Sequence, residues 1–224
     1  MRPKLPLLLL AVLVPSLRGQ TLKPHAPEPV PVPKLYQAAP APTDPPAQTV
    51  EDGRTHLSLR LPAGWNLSRR DGEISTFHLD ARSAPRRSEL RLAANLAFNP
   101  YPYSTFSGAL FYLSVTPKST MAACTAQTSM KPEKLLAPMT VGDVSFTRGL
   151  DEHGHICTEA RDVTYAALRQ GSCLRFDLVV NTFCGGEVSG AKDMTDQELA
   201  RVFRRLEGIL ETVEFKRSGA VDRE

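Results

Sequence analysis

Residues 171–184 read GSCLRFDLVVNTFC, and their reading decides the fold. Successive side chains of a strand point to opposite faces. Leu174, Phe176, Leu178 and Val180 therefore share one face, and Cys173, Arg175, Asp177 and Val179 share the other. The first face predicts a core contact. Arg175 and Asp177 predict an outward sheet surface.

A cysteine stands at each end of this strand, and its length governs how Cys124, Cys157, Cys173 and Cys184 pair. Its ends lie about 35 Å apart at roughly 3.3 Å per residue. A disulfide needs alpha carbons within about 7 Å, so Cys173 and Cys184 cannot join. If 169–171 turns a hairpin with Leu168 opposite Ser172, Cys173 faces residue 167. Cys157 then lies about 30 Å farther along the ladder, which excludes Cys157–Cys173. The same register puts Cys157 opposite residue 183, one position from Cys184. One bulge, or a slightly different turn, closes that gap. The expected pairs are Cys157–Cys184 and Cys124–Cys173.

Upstream, the pattern is that of further strands. Leu57, Leu59 and Leu61 alternate with polar residues, and Pro62-Ala63-Gly64 turns the chain into Trp65, the one tryptophan and an expected core anchor. Asn66-Leu67-Ser68 matches a glycosylation sequon. Asp71-Gly72 reads as a hairpin turn. Strands are expected at 73–80, with Phe77 and Leu79 inward, at 89–98, with Leu90, Leu92, Leu96 and Phe98 on one face, and at 108–116. A short helix is expected at 120–130, a loop at 130–140 and a strand at 141–150. Asp151-Glu152-His153-Gly154 reads as a hairpin turn before a strand at 155–168. Downstream, Thr195 and Glu198 form a capping box. Leu199, Val202, Phe203, Leu206, Ile209 and Leu210 then make one apolar stripe at helical spacing, a face that packs on a sheet.

The outer parts of the chain differ in kind. Arg2 and Lys4 precede an apolar run at 5–17, a secretory signal pattern over 1–20, too short to span a bilayer, which needs about 20 residues. Residues 21–50 hold nine of the nineteen prolines and read as an extended, disordered spacer. One domain is expected at 51–216 and a flexible tail at 217–224. Three of the 27 Lys and Arg fall in the leader, which leaves the rest balanced against 24 Asp and Glu. Nucleic-acid binding needs a basic excess or patch, and the arginine pairs here are scattered.

Few chemical motifs are present. His153, His155 and Cys157 alternate along one side of a strand near Asp151 and Glu159, a group able to bind zinc or copper. The competing reading is a solvated turn and a disulfide cysteine. The patterns GxxxxGK, GxSxG and HExxH do not occur, and no cofactor or catalytic residue is assigned. Tyr101, Tyr103 and Phe106 crowd a proline-containing loop at 99–107, which presents either a binding surface or rings folded back over the sheet end.

The early strand, the Leu61-Pro62-Ala63-Gly64-Trp65 turn, the antiparallel meander and a final helix running into Ile209–Phe215 together resemble the PsbP-like superfamily. That superfamily includes the photosystem extrinsic subunit and the Ran-binding Mog-type proteins. The resemblance covers roughly 55–216. It implies an antiparallel sheet between helices, no catalytic set, and action through binding other proteins. The four cysteines and the proline-rich spacer depart from it. The expectation is thus an α+β domain, an antiparallel sheet flanked by helices in an α/β/α sandwich, secreted or periplasmic. It would act as a non-catalytic binding or accessory protein whose partner is another protein or an envelope component. The alternative is a secreted hydrolase or metal-dependent enzyme using His153 and His155.

Overall fold

The computed structural model describes residues 44–128, 132–185 and 189–216. They fall in one compact unit, Pro42–Glu224. The expected leader, the spacer up to residue 43 and the tail at 217–224 lie outside the described residues. In chain order the elements are β1 (Gln48–Asp52), β2 (Leu57–Leu61), β3 (Trp65–Ser68), α1 (Phe77–Asp80), β4 (Glu89–Leu96), β5 (Phe106–Thr116), α2 (Met121–Thr125), a 3-10 turn (Pro132–Lys134), β6 (Leu135–Val141), β7 (Val144–His155), β8 (Thr158–Arg169), β9 (Ser172–Phe183), α3 (Asp196–Leu210) and β10 (Glu214–Phe215).

The stretch quoted above becomes β9, the central strand of a seven-stranded antiparallel sheet ordered β3-β4-β5-β9-β8-β7-β6. A smaller sheet, β1-β2-β10, packs with α3 over one face. The core lies between them. Leu174, Phe176, Leu178 and Val180 meet Ala109, Phe111, Leu113 and Val115 of β5, the leucines of β2, and Val202, Leu206, Ile209 and Leu210 of α3. Each of those four helix residues is fully buried, worth about 1.5–3 kcal/mol apiece. Thr195 and Glu198 form the predicted capping box. Trp65 is buried in the same core. Gly64 turns the chain into it at φ 85°; a β-carbon there would lie 2.8 Å from the Phe98 ring.

The second face is covered differently. The α1 segment lays Phe77, Ala81 and Ala84 over Ala93, Leu110, Tyr112 and Val179. At the far end α2 packs Cys124 on Cys173 and Ala166. The α+β class and the antiparallel sheet agree with the sequence pattern. Among the described residues the flanking layers are unequal: one long helix on the first face, two helices of four and five residues on the second.

Several local expectations are corrected. Residues 73–80 form no strand. Phe77 is buried, but Leu79 points out with 61% exposure, because the chain takes one helical turn at Phe77–Asp80 instead of alternating. In β4 the register shifts between Leu90 and Leu92. Arg91 is the extra residue, so Leu90 packs on the second face while Leu92 and Leu96 face the first. Phe98 lies beyond the strand, 37% exposed. Residues 135–140, expected as loop, belong with Val141 to edge strand β6, whose pairing with β7 is broken around Pro138. Residues 151–154 are no turn, since β7 continues to His155 and the turn falls at Ile156-Cys157. Residues 48–50, expected in the spacer, are in β1, where Val50 is buried.

The β8–β9 hairpin turns on Gln170 and Gly171 at φ 50° and 73°, left-handed values suited to a two-residue turn. Arg169 therefore pairs with Ser172 and Leu168 with Cys173, one position from the expected register. Continued to the other end, the ladder sets Thr158 opposite Phe183. The next residues, Cys157 and Cys184, meet directly, with no bulge.

Candidate functional site

The largest departure from the sequence reading lies on the second face. Arg175 and Asp177, expected outward, are both fully buried. Arg175 Nε donates to both Asp177 carboxylate oxygens at 2.9 Å. Its Nη2 donates to Ser83 Oγ at 2.8 Å and to Thr164 Oγ1 at 3.2 Å, and its Nη1 to the Gln127 carbonyl at 2.5 Å. Asp162 Oδ2 lies 3.7 Å from Nη2, and Asp162 is also fully buried. Burial, then the charge of Asp177, holds the Asp162 carboxyl well above the usual carboxylate range. Arg175 is also raised: burial opposes its charge, but Asp177 outweighs that and keeps the guanidinium charged. Nearby, Tyr112 donates its hydroxyl to Asp80 Oδ2 at 2.6 Å. Burial and the Asp80 charge push that phenol up, so it stays neutral. Asp80 also accepts from Ser75 and from Asn181 Nδ2. With Arg175, Asp177 and Asp162 all closed to solvent, the cluster is sealed from any substrate. It holds the α1 segment to the sheet.

The accessible candidate is the end of the sheet where β5 starts, β9 ends and the β7–β8 hairpin turns. The two segments singled out in the sequence, the aromatic loop and 151–155, meet there. The loop is fixed: Thr105 N donates to the Lys192 carbonyl, Lys192 N to the Tyr103 carbonyl, and Phe183 N to the Thr105 carbonyl, at 2.8, 3.0 and 2.9 Å. Its three aromatics separate. Phe106 is in β5 and buried in the main core. Tyr101 packs partly buried against it, ring centroids 6.3 Å apart. Tyr103 alone stands open, 87% exposed. Ile156, at the hairpin tip, is 96% exposed, and Phe183 and Leu79 are open beside it. Sequence patterning missed Ile156, because periodicity says nothing of a two-residue turn.

Two clefts flank Glu159 and Thr182 at this end. One, of about 350 Å³, is bounded by Thr105, Arg161, Phe183 and Met194. The other, of about 240 Å³, is bounded by Leu79, Asp80, His153 and Asn181. Arg161 pairs with Glu159 at 2.8 Å between them. His153 donates from Nε2 to the Leu79 carbonyl at 3.1 Å. Its Nδ1 faces Asp151 Oδ2 at 3.5 Å. Cys157 is engaged by Cys184, and the His155 side chain lies outside the described residues. No group of three or more His, Cys, Asp or Glu able to hold a metal occurs among the described residues. Asn66 of the sequon is exposed and donates from Nδ2 to Asn95 Oδ1 at 3.0 Å.

The cysteines pair Cys124–Cys173, alpha carbons 5.3 Å apart, and Cys157–Cys184, 4.1 Å apart. No helix among the described residues is long and apolar enough to cross a membrane.

No family model and no curated protein sequence matches the chain. Among solved structures it is similar to the cyanobacterial PsbP protein CyanoP from Synechocystis, at 9% identity over 81% of this chain and 99% of that one, TM-score 0.42. That protein belongs to the family whose element order the sequence resembles. A Bacteroides thetaiotaomicron protein is similar at 12% identity over 79% of this chain, TM-score 0.40; this chain spans half of that protein's length. Mycobacterium tuberculosis LpqN, described as involved in cell envelope biogenesis, is similar at 10% identity over 75% of this chain and 88% of its own, TM-score 0.34.

Proposed function

We propose that this chain is an exported, non-catalytic binding or accessory module, and that it engages another protein or an envelope component through the sheet end carrying Tyr103, Ile156 and Phe183. One observation carries the reading. Ile156 is 96% exposed on a hairpin tip tied down by a disulfide, with Tyr103 87% exposed on the adjoining loop. Neither side chain contributes to the core, so folding gives no reason for them to be large and apolar. Large anchor side chains of this kind are the usual centres of protein contacts. Two disulfides favour an oxidising compartment, outside the cell or in the periplasm.

The test is site-specific photo-crosslinking in the native compartment, from position 156 and from Arg87, an exposed residue near the opposite sheet end. A discrete partner is expected from position 156 alone. With the crosslinker moved to the exposed Thr158 beside the tip, it should be lost with Ile156→Ser and Tyr103→Ser while the melting temperature stays unchanged. Equal capture from both positions, or capture that survives both substitutions, would refute the reading.

A further inference from the structure

The two disulfides stand in opposite surroundings. Cys124 and Cys173 are 1% and 0% exposed, enclosed by α2, Ala166 and Leu168. Cys157 is exposed and Cys184 half-buried. Exchange requires a thiolate to reach a sulfur of the bond, so access separates the two.

They also hold different things. The β8–β9 ladder is unbroken from Arg169–Ser172 to Thr158–Phe183. Beyond it, Cys184 N donates to the Cys157 carbonyl at 3.1 Å. The Cys157–Cys184 bond therefore clamps one position past a ladder that is complete without it. What it fixes is the tip. Cys157 sits at φ 65°, a left-handed conformation uncommon for any residue but glycine. Gly154 passes so close that a β-carbon there would be 2.9 Å from the Thr158 carbonyl oxygen. Cys124–Cys173, in contrast, ties α2 to the inside of the domain.

We propose that Cys157–Cys184 is a thiol–disulfide exchange site, open to a dithiol reductant while the fold and the second disulfide remain intact, and that its reduction releases the hairpin tip. A thiolate of the reductant attacks Cys157 Sγ and forms a mixed disulfide. The Cys157–Cys184 bond breaks, and Cys184 leaves as a thiolate that takes up a proton. The reductant's second thiolate then attacks its own sulfur in the mixed disulfide and frees Cys157, which is protonated in turn. Two electrons and two protons pass to the protein, and the reductant departs as its own disulfide. Cys157 can then leave the left-handed region, and Ile156 moves with it.

The test uses the oxidised full chain, dithiothreitol at neutral pH without denaturant, and alkylation of free thiols at timed intervals, read by peptide mass. Cys157 and Cys184 should be alkylated at least about tenfold sooner than Cys124 and Cys173, as access to the sulfur dictates. Hydrogen exchange of the partly reduced chain should quicken over 153–158 and 182–185 and stay unchanged in β5 and α3. A chain with Cys157→Ser and Cys184→Ser should keep the wild-type circular dichroism and a single cooperative unfolding transition. Equal alkylation rates at all four cysteines, earlier alkylation of Cys124 and Cys173, or loss of the fold in the double variant would overturn the proposal.

Discussion

Replacing Arg175 by methionine isolates the weight of the buried charge cluster. The guanidinium has no exposed surface. Its loss removes both 2.9 Å bonds to Asp177 and the bonds to Ser83, Thr164 and the Gln127 carbonyl. Asp177 is then left fully buried without its cation, keeping the Thr164 hydroxyl at 3.0 Å and the neighbouring Asp162 carboxyl as partners. Breaking a buried pair in this way costs about 3–5 kcal/mol, a large share of the 5–15 kcal/mol or so that holds a domain of this kind together. Arg175→Met combined with Asp177→Leu removes both charges. Asp162 adds no charged orphan, because burial alone, the largest influence on it, favours its protonated form. The double variant should therefore recover to within about 1–2 kcal/mol of wild type, as apolar replacements of buried pairs do. Urea unfolding followed by the fluorescence of Trp65, 2% exposed, reads both variants. If the double variant is as unstable as Arg175→Met alone, or if Arg175→Met costs under about 1 kcal/mol, the account of the cluster as a compensated pair is wrong.

Three further outcomes follow from single groups. Asp162 binds its proton more tightly folded than unfolded, so wild type loses stability as pH rises above the unfolded pKa of about 3.9, by as much as 1.4 kcal/mol or so per pH unit up to the folded value. Asp162→Asn has no such proton to lose, and its stability relative to wild type should climb over that range in urea titrations at stepped pH. Asp52 is the opposite case: burial opposes its charge, but the Arg91 and Thr55 hydrogen bonds outweigh that and hold it below the usual range. Its stabilisation is full above the unfolded pKa and fades as pH falls through the folded one, so Asp52→Asn should cost about 1.5–3 kcal/mol at neutral pH and progressively less as pH falls below the unfolded pKa. Thr195→Ala removes the cap that accepts from Glu198 N at 3.2 Å and should cost about 1 kcal/mol in thermal unfolding.

Legibility in the sequence followed the length of each pattern. The α3 stripe and its capping box span four turns, and the even face of β9 spans four apolar positions. Neither has a competing reading. Arg175 and Asp177 were misplaced because alternation equates polar with outward. Their cover, Phe77, Ala81 and Ala84, comes from one helical turn and a loop, too short for a helical period to show. Residues 151–154 read as a turn for a similar reason. Their polar side chains lie on a strand whose second face meets the charge cluster, with Asp151 paired opposite Asp162. Phe106 looked like part of the loop, but β5 starts there, two residues before the predicted strand, and takes the ring into the core.

The register of β8 on β9 is specified twice, by unlike forces. A slip of one position turns every β8 side chain to the other face. Tyr165 and Val163 would leave the apolar core for Arg175 and Asp177, and Asp162 and Thr164 would enter it. The charges alone therefore disfavour the slip. The cysteines disfavour it independently: a one-residue shift puts residue 183 opposite Cys157, and Cys184 one step along points to the opposite face. In the oxidised chain the register should accordingly survive loss of the charges, so Arg175→Met with Asp177→Leu should retain the Thr158–Phe183 and Leu168–Cys173 pairings in cross-strand nuclear Overhauser contacts. Only when both disulfides are also removed does the slipped ladder become competitive. A slipped or mixed ladder in the oxidised double variant would show that the charge cluster, and not the covalent ends, sets the pairing.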